Sequence, residues 1–260
     1  MINIKEHPHL SVLNHSCAHL MAQAISNLYP HAQFWVGPVI TDGFYYDIDL
    51  KDDVITEDDL TKIEKEMKRL SKDGKRIIRE EVSKAQALDM FKNDKYKIDL
   101  LNHMDENEEV ISIYRQGDWM DLCRGPHVES TKLLKNFKLL KVSGAYWKGD
   151  ARNDMLQRVY GICFDTKDEL QAHLDWLEEA KKRDHKKLGR ELGLFMISEY
   201  GPGFPFWLPD GMTLRKTLID YWWDEHVKEG YEFIETPTML SQELWEVSGH
   251  WKNYRENMYI

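Results

Sequence analysis

Cysteine is scarce. Cys17, Cys123 and Cys163 are the only three in 260 residues. That is too few, and too scattered, for a disulfide framework, so a reducing, cytoplasmic setting is expected. Long apolar runs are also missing. No segment approaches the roughly 20 residues of a membrane span, so no membrane partner is expected. The opening MINIKEHPHL has no basic stretch followed by an apolar one, and no secretory signal is expected. Excess positive charge is absent as well: the net charge of −10 argues against indiscriminate nucleic-acid binding by the chain as a whole. There is no internal repeat and no low-complexity tract. What remains is a globular composition, 42% hydrophobic and 31% charged, on a chain long enough for one large domain or two smaller ones.

The charge is unevenly spread. Residues 47–66 hold nine acidic and three basic side chains, whereas 132–152 hold six basic and one acidic, as do 181–190. An acidic protein with two basic stretches can still hold a phosphate backbone there, although such stretches are also ordinary solvated faces.

The apolar spacing predicts a first helix from about Ser11, as N-cap, to Pro30, burying Leu13, Leu20, Ala24 and Leu28 with His15 and His19 on a neighbouring face. AQFWVGPVI and GFYYDIDL read as two strands around a turn at Thr41 to Gly43. Thr56 caps a helix spaced Leu60, Ile63, Met67, Leu70. RIIREEV is a strand, and Ser83 with Gln86 is a capping box. VISIYRQG, FKLLKV and LQRVYGICF alternate as further strands. Thr166 and Glu169 box the start of a helix that continues into KKRDHKK. TLRKTLIDYWWDEHVKEG is a second amphipathic helix, and YEFIETPTML a strand broken by Pro237. With no regular βαβ rhythm, the expected class is α+β with a mixed or antiparallel sheet. The expected organisation is a domain over 1–165, a connector helix over 166–183 and a second domain over 184–260.

Two spaced pairs carry the chemistry. His15 and His19, in HSCAH, lie one helical turn apart and project from one face. Cys123 and His127, in DLCRGPH, are also four apart, but Gly125-Pro126 makes that segment a turn. Three imidazoles and a thiol can then converge from a helix and a loop. The donor set suits a closed structural zinc. It suits equally a catalytic zinc with an activated water, or metal-free hydrolysis in which imidazoles deprotonate water while Asp121 and Cys123 position the reacting group. Spacing alone leaves all three open.

Longer strings carry a resemblance. HSCAHLMAQAI, VGPVITDGFYYDIDL, DLCRGPHV and FKLLKVSGAYWKGDARNDMLQRVYG resemble the editing domain of bacterial-type threonyl-tRNA synthetase. RDHKKLGRELGLF and TPTMLSQELWEVSGHWKNY are similar to the start of its class II catalytic domain, with the 212–229 helix, Gly230 and Pro237 resembling motif 1. The resemblance implies a pocket that hydrolyses mischarged Ser-tRNA(Thr), lined by His15, His19, Cys123 and His127. It implies Lys97 near the reacting ester, stabilising charge or holding a phosphate. Asp121 orients an imidazole or takes part in water activation, and Gly37 and Tyr46 shape the amino-acid subsite. Lys135, Lys138 and Lys148 are the expected tRNA contacts. No metal or other cofactor is expected for editing, although HxxxH with CxxxH is shared with zinc-dependent alanyl-tRNA editing proteins. A tRNA-binding piece without catalysis is the remaining alternative. ATP, Mg and Zn would serve only the rest of the catalytic core, which would lie beyond Ile260, just as the family's ubiquitin-like domain would precede Met1. The chain by itself is therefore not expected to charge tRNA, and dimerisation through motif 1 is expected of the full-length enzyme.

Overall fold

A helix buried on almost every side organises the first part of the molecule in the computed structural model, which describes residues 2–104 and 110–258. This helix, α1 (Pro8–Leu28), begins earlier than its apolar spacing predicts. Pro8 occupies the first turn, where a missing N–H costs nothing. His7 is the cap, its Nδ1 accepting from the Leu10 N–H at 3.2 Å. An imidazole is not a usual cap residue, so Ser11 drew the boundary inward. Leu13, Leu20 and Ala24 are buried as expected, but the buried face is much wider than the predicted stripe. Burial runs through Leu10, Leu13, Asn14 and continuously from Ser16 to Ile25, while Leu28 is 43% exposed.

The remaining elements follow in order. Short β1 (Gln33–Phe34) and β2 (Val39–Ile40) replace the single strand expected over 32–40, interrupted by the Gly37-Pro38 segment, and β3 (Gly43–Asp49) follows. Thr56 and Asp59 form a reciprocal cap leading into α2 (Leu60–Asp73). This helix buries Leu60, Ile63, Met67 and Leu70, as its spacing predicts. β4 (Ile77–Ser83), α3 (Lys84–Met90), α4 (Lys95–Asn102), β5 (Val110–Gln116) and β6 (Trp119–Leu122) come next. The Ser83–Gln86 capping box is present. Long β7 (Asn136–Tyr146) and β8 (Met155–Phe164) complete the strands of this part. Helix α5 (Lys167–Lys182) starts at the Thr166–Glu169 box.

All strand pairings here are antiparallel, and the class is α+β. One sheet has the order β1-β3-β8-β7 with β2 on β3, the other β4-β5-β6. Helix α1 packs on α2, β3 and β8. Asn14 fastens it to β8 through both halves of its amide: Nδ2 donates to the Cys163 carbonyl and Oδ1 accepts from the Cys163 N–H, each at 2.9 Å. A buried amide with every bond made fixes the rotation and height of α1, and hence where its histidines point.

The chain divides into two units, Met1–Glu179 and Ala180–Ile260. In the second, helix α5 does not run on through KKRDHKK. It stops at Lys182, and Asp184 caps a new helix, α6 (His185–Glu191), by accepting from the Lys186 and Lys187 N–H groups. β9 (Phe195–Ile197) pairs with β10 (Pro205–Trp207), and α7 (Pro209–Lys228), α8 (Gln242–Val247) and α9 (His250–Tyr254) follow. The strand expected over 231–240 does not form: among the described residues β9 and β10 satisfy each other, so this segment has no partner, and Pro237 lacks an N–H to offer one. No described helix is long and apolar enough to cross a membrane.

Candidate active site

The HxxxH and CxxxH pairs meet. One ligating atom from each of His15, His19, Cys123 and His127 lies within 4.8 Å of every other. The helix contributes His15 and His19, and the segment after β6 contributes Cys123 and His127. The Cys123 Sγ is 3.2 Å from both the His15 Nε2 and the His127 Nε2. The Gly125 N–H also donates to this sulfur at 3.2 Å. Gly125 is needed there for two reasons: its φ is +73°, and a Cβ would collide with the Tyr114 hydroxyl. The loop is pinned to β5, since Ser112 donates to the Cys123 carbonyl at 2.7 Å and the Cys123 N–H to the Ser112 carbonyl at 3.2 Å.

Beneath the imidazoles lies a buried ion pair. Lys97 and Asp121 are each 2% exposed, and Lys97 Nζ stands 2.5 Å from Asp121 Oδ1. Their remaining valences are filled. Lys97 donates to the Trp35 carbonyl at 3.0 Å and to the Tyr46 hydroxyl at 3.2 Å. Asp121 accepts from the Tyr46 hydroxyl, and from the Leu122 N–H at 2.8 Å. Asp121 Oδ2 is 3.7 Å from His19 Nε2, so it faces that ring without a direct hydrogen bond. The ring's Nδ1 is buried with no partner among the described residues. Gly37 explains the place of Tyr46, because a Cβ at 37 would run into the phenol ring.

Burial governs the protonation states. It holds His15 below the ordinary histidine range and His19 and His127 well below it, with the neighbouring imidazoles reinforcing the effect on the latter two. It pushes the Cys123 thiol up to about 12, and Tyr46 far above the usual phenol range. At neutral pH the site therefore presents neutral imidazoles and a protonated thiol. Such a set keeps imidazole lone pairs available, though burial weakens their basicity, and it does not offer a thiolate nucleophile.

Two hollows reach the site. One of about 240 Å³ is lined by Phe34, Lys97, Trp119 and Asp121 among others; one of about 430 Å³ by Ser112, Leu122, Cys123 and Arg124 among others. The lysines read as tRNA contacts sit elsewhere and differ from one another. Lys138 is tied to Glu64 at 2.9 Å and Lys148 to Asp99 at 2.8 Å. Lys135 instead shares a hollow of about 410 Å³ with Lys68, Lys72 and Lys132 over Phe137. None of these four forms an ion pair among the described residues.

Sequence reading missed Ser16 and the Trp35 carbonyl. Ser16 stood inside HSCAH and was legible as a third polar residue of that turn; a backbone carbonyl leaves no mark in the sequence.

The chain is similar to known proteins. Residues 111–160 match the family described as "Threonyl and Alanyl tRNA synthetase second additional domain". Threonine--tRNA ligase from Fusobacterium nucleatum is 53% identical over 251 residues, covering 95% of this chain and 40% of that protein. Those of Desulfatibacillum aliphaticivorans and Acholeplasma laidlawii are each 52% identical, over 99% and 100% of this chain and 40% of theirs. The chain thus carries an editing-type domain of aminoacyl-tRNA ligases. It is similar to threonine--tRNA ligases along almost its whole length and spans about 40% of the length of the relatives it matches.

Proposed function

We propose that residues 1–165 hydrolyse the ester of mischarged Ser-tRNA(Thr), with 166–183 as connector and 184–260 as the beginning of a class II catalytic domain. The observation that carries this is the meeting of three neutral imidazoles and a thiol above the buried Lys97–Asp121 pair. Serine lacks only a methyl of threonine, and one methyl is worth about 1–3 kcal/mol of discrimination, so a second, smaller pocket is the physical remedy. Water attacks the ester carbonyl, an imidazole Nε2 takes its proton, and the carbon–ribose oxygen bond breaks as the ribose oxygen recovers a proton. The cation of Lys97 stabilises developing negative charge nearby, and Tyr46, seated by Gly37, closes the wall. Charging of tRNA(Thr), with its ATP, Mg and Zn, and dimerisation through motif 1 are assigned to the full-length cytoplasmic enzyme; no residue of this chain is assigned to those cofactors.

A second reading is zinc held by His15, His19, Cys123 and His127. Bound by all four, zinc would supply a structural link between helix and loop, since a filled tetrahedral shell keeps no position for water. One experiment separates the readings. Ser-tRNA(Thr) deacylation by the chain should survive a chelator, and His127→Ala should lower it by about 10²–10⁴-fold. Loss of activity with the chelator, restored by zinc, favours the metal site.

The hollow of Lys68, Lys72, Lys132 and Lys135 is the proposed seat for tRNA phosphates. Lys135→Glu should weaken tRNA binding and flatten its salt dependence by about one unit of slope for each phosphate no longer held. Lys138→Glu, already paired with Glu64 in the wild type, should do less. Equal effects of the two, read at two salt concentrations, would count against this seat.

A further inference from the structure

The polar neighbours of Ser16 together constrain a ring proton. Its Oγ lies 2.8 Å from the Val12 carbonyl, 2.9 Å from the Val128 nitrogen and 3.2 Å from the His127 Nδ1. The Val128 N–H can only donate to it. The Val12 carbonyl can only accept, and at the shortest of the three distances it takes the single hydroxyl proton, in the back-bonding geometry usual for serine in a helix. Toward His127 the oxygen then has only a lone pair to offer. His15 is constrained in the same way, its Nδ1 standing 3.2 Å from the Pro126 carbonyl. A neutral imidazole carries one N–H, so a proton on Nδ1 leaves Nε2 bare.

We propose that Ser16 is a positioning residue which, together with the Pro126 carbonyl, holds His127 and His15 with their protons on Nδ1, so that both bare Nε2 atoms converge on Cys123. The single thiol proton serves one of them. The other stays free as the proton acceptor that hydrolysis needs. This rests on the hydrolase reading for its purpose, but not for its geometry, which is measurable alone.

The test is nitrogen NMR of histidine-labelled, chelator-treated protein at pH 7.5, with His15 and His127 assigned by substitution. Both rings should show a protonated Nδ1 and a bare Nε2. In Ser16→Ala, His127 alone should become a mixture of tautomers while His15 keeps its signal, which also certifies the fold. The turnover number on Ser-tRNA(Thr) should fall about tenfold with little change in KM, the usual scale for a group orienting a ligand or base. A wild-type His127 protonated on Nε2 overturns the proposal, as does a tautomer unmoved by Ser16→Ala. If the tautomers are as stated and wild type deacylates nothing, it is the hydrolase reading that fails.

Discussion

Replacing Lys97 by methionine should cost about 3–5 kcal/mol of stability and abolish deacylation, because it strands the Asp121 carboxylate in a buried site. Tyr46 and the Leu122 N–H still bond that carboxylate, but neither carries a charge to balance it. The double variant Lys97→Met/Asp121→Leu removes both charges and should recover most of the stability, since apolar replacements of buried pairs are often neutral or better. It should not recover activity. Urea unfolding of the single and double variants separates the two effects. A double variant as unstable as the single one would show that the pair holds the fold by something other than charge compensation.

Stability should fall as pH drops from 7.5 to 5.5. Burial lowers His15, His19 and His127 below the value of 6.5 that they regain on unfolding. Below pH 6.5 the unfolded chain therefore binds protons that the folded chain refuses, and the equilibrium moves toward unfolding. Each imidazole contributes up to about 1.4 kcal/mol per pH unit until its folded value is reached. Partly buried His173 acts in the same direction. Asp49, lowered to about 2, and Glu66, also lowered, titrate further down and leave this window clear. His19→Gln should make the urea midpoint visibly less sensitive to pH between 7.5 and 5.5. A wild-type midpoint that holds or rises over that interval would contradict the burial of neutral rings.

Local chemistry was legible where a few neighbouring residues decide the outcome. Thr56, Ser83 and Thr166 begin helices through reciprocal caps, and Leu60, Ile63, Met67 and Leu70 mark the inner face of α2. The four residues of the HxxxH and CxxxH pairs were legible because their side chains are uncommon and evenly spaced. What depends on distant partners was not. His19 seemed to lie off the core face of α1, yet it is buried because the β5–β6 sheet and the Cys123 loop cover that side. Asp121 was read as a partner of histidine. Its strongest partner is Lys97, 24 positions earlier, and only folding brings the two together. The basic stretch at 132–152 hid the same difference: Lys138, on β7, meets Glu64 of α2 and is neutralised, while Lys135, just before that strand, is not. The strand expected at 231–240 failed for the converse reason, since propensity cannot supply a neighbouring strand.

The most direct measurement compares deacylation of Ser-tRNA(Thr) and Thr-tRNA(Thr) by the purified chain. If the proposed site discriminates by excluding one more methyl, serine should be released at least about tenfold faster, the lower end of what a methyl group can command. Equal rates on the two, or release of neither, would contradict the assignment of this site.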